Sequence, residues 1–250
     1  MKKSKNFNVH SKFPGYKPGD KEFPALKSKT ELQLEHQDSL SVSSGSFKTN
    51  ITPTWCPGCG NYLILSFLER SFTAQHISPK NIVAVYDIGC AGNMADYLNT
   101  YGVHSLHGRA VPVAMGIKYT SPKLKVIIIG GDGGIYGEGL NHLIAAARAN
   151  IDIKIFVSNN FLYSLTTGQA SPTTPFRAKT KSTPFGTDSL PLDATKLVKT
   201  VNPEVFAEKS DSQNPHDLLQ KIEQALLSPG FALLDVKQKC VAFGKLIESS

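Results

Sequence analysis

No stretch of this 250-residue chain is an uninterrupted apolar run of membrane length, although 40% of its residues are hydrophobic. A spanning helix is therefore excluded on sequence grounds. The first residues are Lys-rich and lack the apolar segment of a secretory signal, so the expectation is a cytoplasmic chain. No basic stretch carries interleaved aromatics or a known module, so nucleic-acid binding is not supported. The net charge of +7 lies largely in the first fifty residues and is tied to no identifiable face, so it reads first as solubility charge. No internal repeat is present. Cysteine is scarce, at four: Cys56, Cys59, Cys90 and Cys240. In a reducing compartment disulfides are disfavoured and metal binding is the better use. The second CxxC knuckle that structural zinc sites often pair is also missing, since only Cys56 and Cys59 are so spaced.

The organisation that is there begins with residues 1–50, which read as an arm or tail. This segment holds Pro14, Pro18 and Pro24, then the polar stretch Ser39 to Ser46, and no sustained hydrophobic period. Residues 51–250 read as one domain of ordinary size. Helices are expected over Asn61–Phe72, Arg109–Lys118, Gly139–Ala149, Pro191–Val201 and His216–Leu227, and strands over Ile82–Ile88, Val126–Ile129, Ile153–Val157 and Phe231–Val236. Phe161 to Leu192 is a long Thr- and Pro-rich connection, and loops of that length inside a compact domain are usually functional. Alternating strands and helices predict an α/β fold, a mostly parallel sheet with helices on both faces.

The segment Gly131 to Gln169 is the most informative. An apolar strand runs into Gly131-Asp132-Gly133, a helical stretch follows, and a second apolar strand runs into Asn159-Asn160. A carboxylate and an amide oxygen thus fall at the carboxyl ends of two parallel strands, where open α/β sheets bind ligands. Hard oxygen ligands suit Mg²⁺ shared with phosphate oxygens, and the glycines with a following helix N-terminus suit the phosphate itself. GDG followed some two dozen residues later by Asn-Asn resembles the thiamine diphosphate motif. A bare glycine turn between strand and helix is the competing reading. Tyr163 and Thr166 flank the Asn160 turn, either reaching cofactor or substrate or holding the loop.

Cys56-Pro57-Gly58-Cys59 can turn so that both sulfurs face one centre. Cys90 follows the strand Ile82–Ile88 and so shares the sheet's carboxyl end with Asp132 and Asn160. Four thiolates suit a structural zinc or a 4Fe–4S cluster, and a centre beside a thiamine site fits electron transfer better than scaffolding.

The chain resembles the β subunit of the 2-oxoacid:ferredoxin oxidoreductases. The resemblance is carried by TWCPGCGNYLI (Thr54–Ile64), DIGCAGN (Asp87–Asn93), HSLHGRAVPVAMGIKYTSP (His104–Pro122), the GDG segment, TTGQASPTTP (Thr166–Pro175), TPFG (Thr183–Gly186) and DVKQKCVAFGK (Asp235–Lys245). It implies the thiamine-diphosphate-binding fold. It makes Cys56, Cys59, Cys90 and Cys240 the ligands of one 4Fe–4S cluster, and Asp132, Asn160 and the Leu162 carbonyl the ligands of Mg²⁺. Gly89, Cys90, His107, Gly131, Asp132, Gly133, Asn160, Leu162, Tyr163 and Thr166 would bind cofactor, with Gly108 nearby. His107 and Arg109 would be catalytic; alternatively Arg109 pairs with an acid of a partner subunit. The implied reaction is oxidative decarboxylation of a 2-oxoacid to an acyl-coenzyme A, with electrons passed to ferredoxin. The implied partner is an α-type subunit that supplies the aminopyrimidine-side wall, in a heterodimer or a dimer of heterodimers. TTGQASPTTP looks more like the 2-oxoglutarate or broad branch than the pyruvate branch. A pyruvate enzyme, a non-redox thiamine lyase subunit with structural zinc, and a silent cluster-carrying subunit are the alternatives.

The chain also departs from the family pattern. Gly134 stands where another Asp is common, and Glu138 where an apolar residue is common. Unless Glu138 reaches a donor or the subunit boundary, its burial would be costly. Asn93 and Thr167 stand where some relatives carry basic residues, which weakens any inference about a second substrate carboxylate.

Overall fold

The computed structural model describes residues 47–248; the expected arm therefore lies outside the described residues except for its last positions. Those positions belong to the packed domain. Phe47 is fully buried, its ring centroid 5.2 Å from that of Phe72, and Lys48 bridges to Leu98.

Six parallel strands form the sheet: β1 (Ile82–Tyr86), β2 (Tyr101–His104), β3 (Lys125–Gly131), β4 (Lys154–Asn159), β7 (Phe206–Asp211) and β8 (Ala232–Lys237), in the order β2-β1-β3-β4-β8-β7. The two-residue strands β5 (Leu162–Tyr163) and β6 (Gln169–Ala170) make a separate antiparallel pair inside the long connection. The main helices are α1 (Asn61–Ala74), α2 (Ala110–Thr120), α3 (Leu140–Arg148), α4 (Ala194–Val201) and α5 (Pro215–Leu227), with a short α6 (Lys245–Glu248).

Side-chain alternation along each central strand sorts the core into two layers. Ala84, Tyr86, Ile127, Ile129, Phe156 and Leu234 pack against Leu68 and Phe72 of α1 and Leu218 and Ile222 of α5. Val83, Val85, Val126, Ile128, Ile155 and Val157 pack against Val111 of α2, Leu143 of α3 and Val198 of α4. Both faces are covered, which is why these strands read as continuous apolar runs. Edge strands β2 and β7 do not read that way: β2 is exposed along its whole length and β7 is mostly polar. Neither was expected from the sequence.

One topological detail positions the site. The chain leaves β1 to form β2 on one side and returns to form β3 on the other. The sheet therefore opens a crevice between the carboxyl ends of β1 and β3, the place where open α/β sheets take their ligands.

Candidate active site and cysteine cavity

At that crevice the carboxyl ends of β1, β3 and β4 meet the loop after β5. The cleft is lined by Gly89, Cys90, His107, Gly131, Asp132, Gly133, Asn160, Leu162, Tyr163 and Thr166, together with Ile88, Ser158, Ser164 and Leu165. Every cofactor-binding residue expected from the sequence is in this group. Arg109 is not. It is exposed, and its Nη1 donates to the main-chain oxygens of Gly108 (3.2 Å) and Glu138 (3.0 Å). The structure thus places the Arg109 guanidinium on backbone oxygens outside the lining.

Asp132 is 1% exposed. Its Oδ2 accepts from Ser171 Oγ at 2.5 Å and from Thr173 Oγ1 at 2.7 Å, so the hydroxyl bonds are on one oxygen. Burial holds its carboxyl up at about 6; the groups that pull the other way are those two hydroxyls and its own backbone, with no basic side chain among them. A buried carboxylate compensated only by hydroxyls is suited to a cation. Asn160 stands across the cleft, its Oδ1 accepting from Leu162 N at 3.0 Å, which fixes the turn. The residues present therefore fit Mg²⁺ and a diphosphate. Gly89 fits the same purpose: its φ is +131° and a Cβ there would meet nothing within 4 Å, so the backbone itself forms that wall.

Neither Ser171 nor Thr173 was expected at the site, although both lie in the quoted TTGQASPTTP block. Thr173 Oγ1 is also 2.9 Å from Asn159 Oδ1, and Asn159 Nδ2 donates to Asp235 Oδ2 at 3.2 Å. Having one proton, the Thr173 hydroxyl serves Asp132 or Asn159, not both. Thr173→Val keeps the shape and removes that donor. Thiamine diphosphate affinity, measured by calorimetry with Mg²⁺ present, is expected to fall about fivefold, as for about 1 kcal/mol of lost hydrogen bond.

The helix expected over Gly139–Ala149 is found as α3, from Leu140, and between it and GDG the chain makes a π-helical turn, Gly133–Glu138. Such turns recur at functional sites. Gly134 has a local reason: a Cβ there would collide with the Asp87 carboxylate. Asp87 itself is fully buried and was given no role by the sequence. Its carboxylate accepts from Gly108 N (3.0 Å to Oδ2) and Ile88 N (2.7 Å to Oδ1), tying the HGRA turn to the end of β1. Burial raises its pKa against those bonds.

Glu138 does reach donors. Its side chain is 47% exposed, Tyr163 Oη lies 3.2 Å from Oε1, and His107 Nδ1 lies 3.2 Å from Oε2. Nδ1 lies close there and 3.6 Å from Asp87 Oδ1, yet it forms no hydrogen bond to either. Burial, and then Glu138, push the Tyr163 hydroxyl up to about 12.

Behind the cleft lies a second cavity. Cys56, Cys59, Cys90 and Cys240 all line it, and Cys90, Asn160, Ser164 and Leu165 line both cavities, so one thin wall separates them. The CPGC loop closes with Cys59 N donating to Cys56 O at 3.0 Å, and Trp55 Nε1 holds the Cys90 carbonyl at 2.6 Å. Burial pushes the Cys90 thiol up to about 11, and the charges of Cys59, Cys240 and Cys56 push it the same way. Cys59 is also raised, by burial against an opposing hydrogen bond from the Asn61 backbone, with Cys240 and Cys56 adding to the rise. The four sulfurs thus share one electrostatic environment.

Residues 87–236 match the thiamine pyrophosphate enzyme, C-terminal TPP binding domain family. The 2-oxoglutarate synthase subunit KorB of Archaeoglobus fulgidus is 39% identical over 210 residues, covering 84% of this chain and 75% of that protein. The chain belongs to the 2-oxoacid:ferredoxin oxidoreductase β-subunit family. Subunit beta of 2-oxoacid:ferredoxin oxidoreductase 1 from Aeropyrum pernix is 35% identical over 209 residues; the match covers 80% of this chain and 63% of that relative's length. Among solved structures, a 2-oxoglutarate:ferredoxin oxidoreductase from Magnetococcus marinus, with 2-oxoglutarate, coenzyme A and succinyl-CoA bound, superposes with a TM-score of 0.78 at 30% identity, covering 82% of this chain and 70% of that one. The family match begins directly after β1 and takes in the loop that follows it, the GDG turn and β4, which form the cleft. The fold expected from the sequence, a thiamine-diphosphate-binding α/β sheet, is the fold found. Among the described residues no helix is long and apolar enough to cross a membrane.

Proposed function

We propose that the chain is the diphosphate-binding and cluster-binding subunit of an enzyme that oxidatively decarboxylates a 2-oxoacid to an acyl-coenzyme A and passes the electrons to ferredoxin, with 2-oxoglutarate the favoured substrate. The observation that carries this reading is the shared wall: the cleft holding Asp132 and Asn160 and the cavity holding four cysteines have Cys90, Asn160, Ser164 and Leu165 in common. A decarboxylase alone has no use for such a wall. The KorB relatives and the bound ligands of the solved neighbour support the 2-oxoglutarate choice.

In this reading Asp132, Asn160 and the Leu162 carbonyl hold Mg²⁺, and Ser171 and Thr173 aim the Asp132 carboxylate. Asp87 fixes the turn that carries His107, which faces the cleft between Glu138 and Asp87. When bound, thiamine diphosphate supplies the electron sink for decarboxylation, and a 4Fe–4S cluster on Cys56, Cys59, Cys90 and Cys240 supplies the electron exit. Among the described residues no three of His, Cys, Asp and Glu are grouped for a single metal ion. The wall that the cysteine cavity shares with the cleft, of use to electron transfer and not to scaffolding, supports a cluster over zinc.

Thiamine catalysis also needs a glutamate on the aminopyrimidine ring. Glu138 sits on the diphosphate side, hydrogen-bonded to Tyr163 and beside His107, and does not serve. The missing wall is assigned to an α-type partner. Tyr101 on edge strand β2 and Leu106 beside His107 are 60% and 79% exposed, an apolar surface next to the cleft that suits such a partner. The purified chain, loaded with cluster, Mg²⁺ and thiamine diphosphate, is expected to reduce no viologen dye with any 2-oxoacid. With the α-type subunit added, turnover should appear and be fastest with 2-oxoglutarate. Robust turnover by the chain alone would place the missing wall within it, and preference for pyruvate would reassign the substrate.

A further inference from the structure

The wall around the cysteine cavity carries polar atoms that nothing among the described residues satisfies. Asn61 is fully buried and Gln238 is 3% exposed. Ser158 Oγ donates to Asn61 Oδ1 at 2.6 Å, and Gln238 Nε2 donates to the same oxygen at 3.3 Å and to Ser158 Oγ. The Asn61 oxygen thus takes both bonds, and its Nδ2, with two N–H groups, has no acceptor. Ser164 Oγ is likewise buried and without a partner. Both residues line the cavity of the four cysteines, and Ser164 lines the cleft as well. Buried donors left unpaired are few in native proteins, and each calls for a reason.

The placement supplies one. Asn61 opens α1 two positions after Cys59, so the turn that presents the sulfur also presents the amide. Ser164 follows β5 on the wall shared with Cys90. In this arrangement the Asn61 oxygen is engaged by Ser158 and Gln238, and Gln238 Oε1, also buried on the same cavity, is a further unpaired polar atom there. Unpaired donors beside four thiols suit an anionic, sulfur-rich acceptor.

We infer that Asn61 Nδ2 and Ser164 Oγ donate hydrogen bonds to sulfur atoms of the group held by Cys56, Cys59, Cys90 and Cys240, and that these bonds raise its reduction potential. This rests on the cluster reading above. The electrostatic reason is direct: reduction adds negative charge to the sulfurs, and a donor dipole aimed at them stabilises the reduced form more than the oxidised one. Asn61 and Ser164 are positioning and tuning residues; they do not ligate iron.

The test is a redox titration of the assembled complex followed by electron paramagnetic resonance, with iron measured on each sample first. Ser164→Ala removes the hydroxyl at little cost in packing, and its midpoint potential is expected to move to a more negative value at unchanged iron content. Ser164→Thr keeps a hydroxyl and should return the potential toward wild type. Asn61→Asp keeps the shape and the oxygen that Ser158 and Gln238 use, but replaces the donor with a carboxylate oxygen, and should lower the potential further. A purely structural role would change stability or iron loading and leave the potential of the assembled group unmoved. Equal potentials in wild type and Ser164→Ala at full iron content would overturn the inference. Iron-free wild-type complex would instead overturn the cluster reading beneath it, so the two failures are distinguishable.

Discussion

Asp132→Asn should cost the protein its cofactor while making the empty domain more stable. Asp132 is an acid whose folded pKa is raised, from an ordinary 3.8 to about 6, by burial. The sign follows from proton linkage. Between those values the folded state holds more protons than the unfolded one, so stability falls as pH rises from about 4 to about 6 and is level above that. The shift corresponds to about 3 kcal/mol carried at neutral pH. Asparagine has no charge to bury, and its oxygen can still accept from Ser171 and Thr173. Its amide leaves a donor to satisfy, so the expected gain for the cofactor-free variant is about 1–3 kcal/mol at pH 7, shrinking toward zero near pH 4. Loss of the charged ligand should weaken thiamine diphosphate binding in the presence of Mg²⁺ by at least about tenfold. Wild-type affinity itself should fall about tenfold per pH unit below about 6, as protons compete for the carboxylate. Urea melts with and without cofactor, at several pH values, measure all of this. Unchanged affinity in the variant would mean that the GDG turn does not hold the metal.

What the sequence made legible and what it hid divide along physical lines. Strands β1, β3, β4 and β8 are buried on both faces, so their apolar runs announce them without any partner information. Edge strand β2, Tyr-Gly-Val-His, has no buried face and exists because Val83 to Tyr86 offer a pairing partner. Local pattern carries no trace of such a strand. Asp132, Asn160, Cys90 and Cys240 were legible because motifs place them within a few residues of a strand end, and Cys56 and Cys59 because of their CxxC spacing. Ser171 and Thr173 were not, since the Thr- and Pro-rich connection has no period and they reach Asp132 across some forty residues of chain. Asp87 lay within a recognised block, but its work is to bind Gly108 across the crevice, a contact that only the fold creates. Glu138 looked like a cost in the sequence; its half-exposed place beside Tyr163 and His107 removes the cost. Arg109 is the converse case, a residue that its motif put in the site and that backbone carbonyls hold outside the cleft.

Cys240→Ala is expected to abolish the cluster and with it the transfer of electrons to dye or ferredoxin. Cys240 is the informative ligand to remove because it comes from elsewhere. Cys56 and Cys59 sit on one loop before α1 and Cys90 after β1, whereas Cys240 follows β8, which β3 and β4 separate from β1 across the sheet. Its position is fixed locally: Gln238 N donates to Asn159 O at 2.9 Å, Gly244 N to Cys240 O at 2.7 Å and Phe243 N to the sulfur at 3.4 Å. The substitution therefore removes a sulfur without unmaking the turn. A metal held by Cys56 and Cys59 with outside ligands would be indifferent to the change; a cluster needing four thiolates would not. Before iron arrives, the raised Cys59 and Cys90 thiols keep their protons, and assembly must expel them, so loading should improve as pH rises. Wild type prepared without oxygen should carry about four irons per chain and a broad visible band that dithionite bleaches. In Cys240→Ala the band and most of the iron should be gone, while thiamine diphosphate affinity falls far less, because Asp132 and Asn160 remain. Zinc in place of iron in wild type, or full iron and an unchanged spectrum in the variant, would remove Cys240 from the centre and return the four cysteines to a structural reading.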